Sequence, residues 1–339
     1  MRIAYDVTPL SHPRTGVGNY VLGALRGMAD ASAGSHELVA FGPVSIRGRP
    51  LLEQALNGVP ADRRLVTVPF AHATRRAWSR LGRPPAERFV GGFDVLHFTD
   101  WMYPPQRSGV RATMIHDLGP LKYPEKLHPR TVRMHTANAE QARNCDVVFA
   151  NAEFTARDVV ETLAIPRERI RVAHPGVDPA FRPDGDRHDT GRPYAFTTAT
   201  ADWRKNLETV RAAWRELEGD LALLALGDLG YVPHERLPAL YRGASVFVYP
   251  SRFEGFGIPV VEAMACGVPC VVSSHPSLDE AAGDAAVRAD PEDAEAIAAA
   301  VRDALAWRDQ LVERGLAHAR RFTWAETGRI HLQGYADAL

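Results

Sequence analysis

The sequence of this chain has few of the features typical of disulfide-rich, nucleic-acid-binding or membrane-spanning proteins. Its 339 residues include three cysteines, Cys145, Cys266 and Cys270, which are too few for a disulfide framework. We therefore expect all three to be reduced thiols in the core. Basic and acidic residues number 40 and 41, so the overall charge gives no reason to expect a nucleic-acid partner. No apolar run approaches the roughly 18 residues of a membrane span, and no signal-peptide core follows Met1, so we expect a cytoplasmic protein.

Short apolar runs alternate with segments of helical periodicity along most of the chain. Most of these runs are continuous, which is typical of parallel strands covered by helices on both faces. The pattern predicts an α/β fold of the doubly wound kind. The predicted strands are Ile3–Asp6, Leu38–Phe41, Leu65–Val68, Val95–Phe98, Ala112–Ile115, Val147–Ala150, Ile170–Ala173, Ala195–Thr198, Leu221–Leu226, Ser245–Tyr249 and Pro269–Ser273. The predicted helices include Asn19–Met28, Asn206–Leu217, Leu237–Arg242 and Pro291–Ala306.

The segment from His174 to Pro193 is rich in proline, glycine and charge and lies near the middle of the chain. It has no apolar periodicity, so it predicts a linker between two Rossmann-like domains of roughly 175 and 150 residues. We place the N-terminal domain at residues 1–176, the C-terminal domain at 177–322 and a last amphipathic helix at 323–339. The cleft between two such facing domains is the expected ligand site.

The stretch that runs from Tyr249 to Ser273 predicts a strand, a glycine-containing loop, a short helix and a second strand. Glu254 lies on the loop and Glu262 about one turn into the helix, so both carboxylates can face the cleft. A carboxylate accepts hydrogen bonds from sugar hydroxyls. The alternative is that both glutamates merely face solvent, which the apolar neighbours of Glu262 make hard to justify. Backbone N–H groups at the start of the helix form a natural site for an anionic or hydroxylated ligand. They belong to Gly255, Phe256, Gly257 and Ile258.

The pattern Glu254-Gly-Phe-Gly-Ile-Pro-Val-Val-Glu262 resembles the signature of the retaining nucleotide-sugar glycosyltransferases of family 4, which have the GT-B fold. Other stretches are similar to that family in the same order along the chain. They are Thr15-Gly-Val-Gly-Asn-Tyr20, Ile115-His-Asp-Leu118, His174-Pro-Gly-Val-Asp178, Trp203-Arg-Lys-Asn-Leu207 and Phe322-Thr-Trp324. The resemblance spans nearly the whole chain. It implies two facing Rossmann-like domains, with the last helix returning to the N-terminal one.

On the donor side, the resemblance implies that Arg204 and Lys205 hold the diphosphate and contribute to catalysis. Two cations beside a helix start can neutralise a leaving nucleoside diphosphate without a metal ion. Lys205 is one of only three lysines in the chain, which fits a functional choice. The resemblance also implies that Glu254 contacts the transferred sugar and takes part in catalysis. Glu262 would bind the ribose hydroxyls, and backbone atoms from Gly255 to Ile258 would complete the donor site.

On the acceptor side, the resemblance implies that His116 and Asp117 lie near the reacting sugar and the acceptor, with His116 among the catalytic residues. The alternative for His116 is a hydrogen-bonded core histidine. By the same resemblance, backbone amides at Gly16 could reach the diphosphate or the acceptor. The third glycine of a dinucleotide fingerprint is replaced by Val21, so we do not expect NAD to bind here.

Together these features predict a metal-independent retaining hexosyltransferase without a cofactor, with GDP-mannose favoured as the donor. The acceptor would be a hydroxyl of a glycan, a lipid or a small molecule. A catalytically impaired nucleotide-sugar or glycan-binding protein is the main alternative, and a same-fold epimerase or phosphorylase is another. Asp184-Gly-Asp186 does not follow a buried strand, and we expect no metal there. The basic stretch Arg75–Arg80 is interpreted as a solvated helix face, with peripheral docking at the inner membrane face as its alternative.

Overall fold

The computed structural model describes residues 1–99, 102–217, 219 and 221–339. They form two compact units, and the predicted α/β class with parallel sheets is confirmed. The N-terminal unit comprises Met1–Gly176 together with Thr323–Leu339, and the C-terminal unit comprises Val177–Phe322. No described helix is both long and apolar enough to span a bilayer.

The N-terminal unit is built on a seven-stranded parallel sheet with the strand order β3-β2-β1-β4-β5-β6-β7. Its strands are β1 (Arg2–Asp6), β2 (Glu37–Val44), β3 (Asp62–Thr67), β4 (Val95–Phe98), β5 (Val110–Ile115), β6 (Val147–Ala150) and β7 (Ile170–Val172). Its helices are α1 (Gly16–Ser32), α2 (Arg49–Ala55), α3 (Ala71–Leu81), α4 (Glu87–Val90), α5 (Gly119–Lys122), α6 (Pro129–Ala142) and α7 (Glu153–Leu163). Central strands such as β4 and β6 are buried along their whole length, as the continuous apolar runs predict.

The C-terminal unit is built on a five-stranded parallel sheet with the order β12-β11-β10-β8-β9. Its strands are β8 (Tyr194–Thr197), β9 (Ala222–Ala225), β10 (Val246–Tyr249), β11 (Cys270–Ser273) and β12 (Ala286–Ala289). Its helices are α8 (Leu207–Leu217), α9 (Leu226–Leu229), α10 (Leu237–Gly243), α11 (Ile258–Ala265), α12 (Asp279–Ala282), α13 (Ala294–Ala306) and α14 (Arg308–Ala319). A short 3₁₀ turn, Trp203–Lys205, precedes α8.

The last helix, α15 (Trp324–Ala338), packs against α1 in the N-terminal unit, as the resemblance implied. Glycines make this close crossing possible. A Cβ added at Gly27 would lie 1.8 Å from the carbonyl oxygen of Trp324, and one at Gly328 would lie 2.0 Å from the carbonyl carbon of Gly27. Larger residues at these two positions would push the helices apart.

Three details of the sequence interpretation need correction. Strand β12 was not predicted, because it is only four residues long and includes Arg288. Helix α8 begins at Leu207 rather than Asn206, since Asn206 has the left-handed φ of 56°. The stretch Arg75–Arg80 is not a wholly solvated face, because the Arg75 side chain is buried. The three cysteines are buried free thiols, so the prediction of core thiols is confirmed.

Candidate functional site

The strand–loop–helix unit predicted around the two glutamates is present. Strand β10 ends at Tyr249, and the loop leads into α11, which begins at Ile258. Gly257 has the left-handed φ of 99°, and a Cβ there would lie 2.5 Å from Leu278 Cδ2, so this position requires glycine. Pro259 stands in the first turn of α11, where the helix needs no N–H donor. No side-chain cap covers the start of α11.

Glu254 and Lys205 form an ion pair in the C-terminal unit. The Lys205 Nζ atom lies 2.7 Å from Glu254 Oε1 and 2.6 Å from the hydroxyl oxygen of Tyr249. Two hydroxyl groups donate to the same carboxylate oxygen, that of Tyr249 at 2.7 Å and that of Ser251 at 2.5 Å. The structure thus joins two residues that the sequence places 49 positions apart.

The environment of Glu254 fixes its charge. Burial by itself would raise the pKa of this carboxyl, but the Lys205 ammonium and the hydrogen bonds from Lys205, Ser251 and Tyr249 outweigh burial and lower the pKa. Glu254 is therefore ionised at neutral pH. As an ionised carboxylate, it can only accept hydrogen bonds.

Arg204, the second predicted cation, is paired with a carboxylate as well. Its Nη2 atom lies 3.1 Å from Asp202 Oδ2, and its backbone N–H donates to Asp202 Oδ1 at 2.9 Å. Burial would raise the pKa of Asp202, but the contacts with Arg204 outweigh it and lower the pKa. Both predicted cations lie on the Trp203–Lys205 turn rather than on helix α8.

Glu262 is buried in a different environment. The Tyr241 hydroxyl donates to its Oε2 atom at 3.1 Å, and among the described residues no lysine or arginine shifts its pKa. Burial raises the pKa of Glu262 to about 7, an increase that His234 and the Tyr241 hydrogen bond only partly oppose and that Asp178 reinforces. His234 itself lies 3.8 Å from Asp178. Neither motif glutamate is a solvent-facing side chain, so that alternative interpretation is wrong.

The predicted acceptor-side residues lie at strand and helix ends in the N-terminal unit. Gly16 is the first residue of α1, and a Cβ added there would meet no heavy atom within 4 Å. His116 directly follows β5 and makes an edge-on contact with Tyr20, with ring centroids 5.1 Å apart. Asp117 Oδ1 accepts a hydrogen bond from the N–H of Gly119 at 2.8 Å. His116 and Asp117 both line a small cavity of about 80 Å³.

Comparisons with known proteins show the family of the chain. A model of glycosyl transferases group 1 matches residues 227–317, and a model of Glycosyltransferase Family 4 matches residues 14–181. An O-antigen chain mannosyltransferase B from Escherichia coli is 28% identical, with 96% of each chain covered. A D-inositol 3-phosphate glycosyltransferase from Nocardia farcinica is 26% identical over 99% of this chain and 89% of that protein. The chain is a family 4-like glycosyltransferase.

Solved structures show the same fold. A sucrose-phosphate synthase from Thermosynechococcus elongatus has a TM-score of 0.73 and 21% identity, covering 99% of this chain and 98% of the other. Anabaena Alr3699/HepE, solved in complex with UDP and glucose, has a TM-score of 0.64 and 13% identity with both chains fully covered. The expected GT-B fold is confirmed, and this glycosyltransferase is a hexosyltransferase.

Sequence reasoning missed the residues that hold the Lys205 turn of the glycosyltransferase in place. The buried Asn206 side chain donates from Nδ2 to the carbonyl oxygens of Pro250 at 3.0 Å and Pro291 at 2.6 Å. The backbone N–H of Arg252 donates to the Arg204 carbonyl oxygen at 2.8 Å, and the Ser251 hydroxyl oxygen lies 2.7 Å from the same carbonyl oxygen. The available signal was the asparagine after Lys205, since asparagine tolerates the left-handed conformation better than most residues.

In this glycosyltransferase, Tyr20, which contacts His116, belongs to a buried polar network. The Tyr20 hydroxyl lies 3.0 Å from His331 Nε2, and His331 Nδ1 lies 3.2 Å from the Tyr335 hydroxyl. The same Tyr335 hydroxyl lies 2.7 Å from His97 Nδ1. Burial lowers the pKa of His331 to about 3, so this histidine is neutral. Helix α15 thereby supports Tyr20, the residue against which His116 packs.

Proposed function

We propose that this glycosyltransferase moves a hexose from a nucleotide-diphosphate sugar to a hydroxyl group of a glycan, a lipid or a small molecule. Mannose is the favoured sugar and GDP-mannose the favoured donor. The names of the relatives support this choice, since one of them is an O-antigen chain mannosyltransferase. A fold neighbour in complex with UDP and glucose supports a nucleotide-sugar donor.

The ionised Glu254, held by Lys205 in the loop after β10, is the observation that carries the proposal. Its carboxylate suits hydroxyl groups of the transferred sugar and stabilises the positive charge that develops on that sugar. An ammonium group has three N–H donors, and two of those on Lys205 go to Tyr249 and Glu254. The third serves a phosphate oxygen of the donor. Arg204 adds a second positive charge on the same turn.

In this proposal, Glu262 accepts hydrogen bonds from the ribose hydroxyls, and the backbone N–H groups from Gly255 to Ile258 bind the donor at the start of α11. His116 and Asp117 bind the acceptor, and the Gly16 amide contributes to the donor or the acceptor. The carbon–oxygen bond to the leaving phosphate breaks while the acceptor oxygen bonds to the same face of the sugar carbon, so configuration is retained. The leaving phosphate oxygen takes the proton of the acceptor hydroxyl. Catalysis then rests on positioning and fixed charges without a metal ion.

The test is a transfer assay with GDP-mannose and UDP-glucose, run with a panel of mannose-bearing acceptors in the presence of EDTA. We expect mannose transfer with retained anomeric configuration, read by NMR of the product. Glu254→Gln should lose at least a hundredfold in kcat, while Glu235→Gln, at an exposed position, should match the unaltered protein. An inverted product, a requirement for a divalent metal, or binding of donors without any turnover would contradict the proposal.

A further inference from the structure

A second cavity of the N-terminal unit is larger than the one at His116 and strongly basic. It has a volume of about 750 Å³ and lies against helix α3. Six basic side chains line it, and no aspartate or glutamate is among the described residues of its wall. The six are His12, His72, Arg75, Arg76, Arg80 and Arg130.

The topology places this cavity where ligands bind in α/β proteins. Its walls come from the segments that follow β1, β2 and β3, which are parallel neighbours, so the cavity lies at the carboxyl edge of the sheet. Helix α6 contributes Arg130 from its first turn. The same helix contributes His135 and Asn138 to the cavity at His116. Arg130 and His135 are roughly 7–8 Å apart along the helix axis, so the two cavities are close neighbours.

Buried positive charge distinguishes this cavity from a solvated basic surface. The Arg75 side chain is only 2% exposed, and its Nη1 atom donates to the Pro43 carbonyl oxygen at 3.2 Å. Burial lowers the pKa of Arg75, and the charge of Asp6 opposes that shift. Burial followed by the charge of Arg75 also lowers the pKa of both His12 and His72. Burial is the larger cause of each shift, and the contribution of Arg75 shows that its positive charge acts on both histidine rings.

The start of helix α3 adds to this field. The helix runs for 11 residues from Ala71, and the residue before it, Phe70, has the left-handed φ of 46° and provides no side-chain cap. Ala71, His72 and Ala73 all line the cavity, so the first turn of α3 borders it. The N-terminal end of a helix carries a partial positive charge that favours anions.

We propose that this cavity binds a phosphate or pyrophosphate group carried by the acceptor. The guanidinium group of an arginine can donate two parallel hydrogen bonds to two oxygens of one phosphate. Four arginines line this cavity, which is more than the binding of a single carboxylate needs. The volume leaves room for more of the acceptor, and the neighbouring cavity holds His116. This inference rests on the proposed function, because it names the class of acceptor, but it uses none of the donor-side residues.

The test follows the histidine ring resonances of the full chain by NMR while inorganic pyrophosphate is added. GDP is present at saturation so that the donor side is filled. We expect the resonances of His12 and His72 to shift and their pKa values to rise, because a bound anion offsets the charge of Arg75. The variant Arg76→Gln/Arg130→Gln removes two exposed side chains of the cavity and should weaken pyrophosphate binding at least tenfold.

The matched control is Arg26→Gln/Arg64→Gln, which removes the same charge from exposed positions outside the cavity. It should bind pyrophosphate like the unaltered protein. Vesicles of phosphatidylcholine with and without phosphatidylglycerol identify the source of the phosphate. If the unaltered protein and the control sediment with the anionic vesicles and the cavity variant does not, the phosphate belongs to a lipid headgroup. If pyrophosphate binds but the protein does not sediment with these vesicles, the phosphate belongs to a free acceptor.

The inference is overturned if pyrophosphate leaves His12 and His72 unchanged and the vesicles do not bind. It is equally overturned if the cavity variant and the control lose binding to the same extent. Its failure is separable from that of the proposed function. If sugar is transferred and the cavity variant binds pyrophosphate like the unaltered protein, only the phosphate site is contradicted. If pyrophosphate binds at His12 and His72 but no donor supports transfer, only the enzyme activity is contradicted.

Discussion

Glu254 and Glu262 lie on the same loop and helix, and their environments are opposite. Glu254 has a lysine and two hydroxyl donors around one oxygen, and these lower its pKa against burial. Glu262 has the Tyr241 hydroxyl as its hydrogen-bond donor, and burial raises its pKa to about 7. Two carboxyl groups in one motif therefore differ in charge at neutral pH. Environments that separate two pKa values in this way also separate two roles.

The difference comes from the counter-charge and not from the acids themselves. Lys205 reaches Glu254 because hydrogen bonds from the Asn206 side chain and the Arg252 backbone N–H join the turn before α8 to the loop after β10. In the part of the chain that the structure describes, no lysine or arginine lowers the pKa of Glu262 in this way. Glu254 therefore provides a fixed negative charge at neutral pH, whereas the charge of Glu262 changes with pH near 7.

Removal of the Lys205 ammonium should have the largest effect on this contrast. Lys205→Met leaves the Glu254 carboxylate buried without its cation, which we expect to cost about 3–5 kcal/mol of unfolding free energy. Sugar transfer should also be lost. Urea unfolding and the transfer assay measure the two effects.

The matched control for Lys205 is the double variant Lys205→Met/Glu254→Gln. It removes both charges and should regain most of the stability while transfer stays absent. If the single variant is as stable as the unaltered protein, the ion pair does not hold Glu254.

Substitution of Glu262 should change how stability depends on pH. Its pKa is raised from 4.5 to about 7, so its contribution to stability is fully present below pH 4.5 and is lost as the pH rises through 7. Glutamine cannot ionise, so Glu262→Gln should gain stability relative to the unaltered protein between pH 5 and pH 8, by up to about 3 kcal/mol. Urea unfolding at both pH values measures this gain.

Glu254→Gln should show the opposite trend. The pKa of Glu254 is lowered, so its contribution is present at neutral pH and is lost as the pH falls through the folded-state pKa. Relative to the unaltered protein, the variant should therefore lose more unfolding free energy at neutral pH than at acidic pH. Equal pH trends for the two variants would remove the contrast between the glutamates.

The smallest expected effect concerns donor binding. If ribose hydroxyls bind the ionised form of Glu262, GDP-mannose should bind about tenfold more tightly at pH 8 than at pH 6, because the competent form is scarce below pH 7. Calorimetry at both pH values measures this, and GDP-mannose carries no terminal phosphate that titrates in that range. Glu262→Gln should abolish the pH dependence, and a dependence that survives in this variant would place its origin elsewhere.

The fold could be predicted from the sequence because its signals are local. Continuous apolar runs such as Val246–Tyr249 predict buried parallel strands, and the glycine and proline around Ile258 predict the start of a helix. Strand β12 lacks that signal because Arg288 interrupts a short run. The motif glutamates could be found for the same reason, since their spacing is local.

The pairing within the candidate site could not be predicted in the same way. The Lys205–Glu254 ion pair joins positions 49 residues apart, and the burial that sets the pKa of Glu262 depends on how distant segments pack. The sequence of the basic stretch from Arg75 to Arg80 does not indicate that Arg75 is buried against β2. Nor does it indicate that Arg130 from α6 lines the same cavity. Such features depend on tertiary packing, which no short window of sequence contains.

A direct measurement of the two carboxyl pKa values tests the central claim. Protein labelled with ¹³C at the glutamate carboxyl carbon can be titrated by NMR, with Glu254→Gln and Glu262→Gln used to assign the two signals. We predict that the Glu254 signal titrates below the usual range of glutamate and the Glu262 signal near pH 7. Two signals that titrate together near 4.5, the ordinary value, would contradict the account.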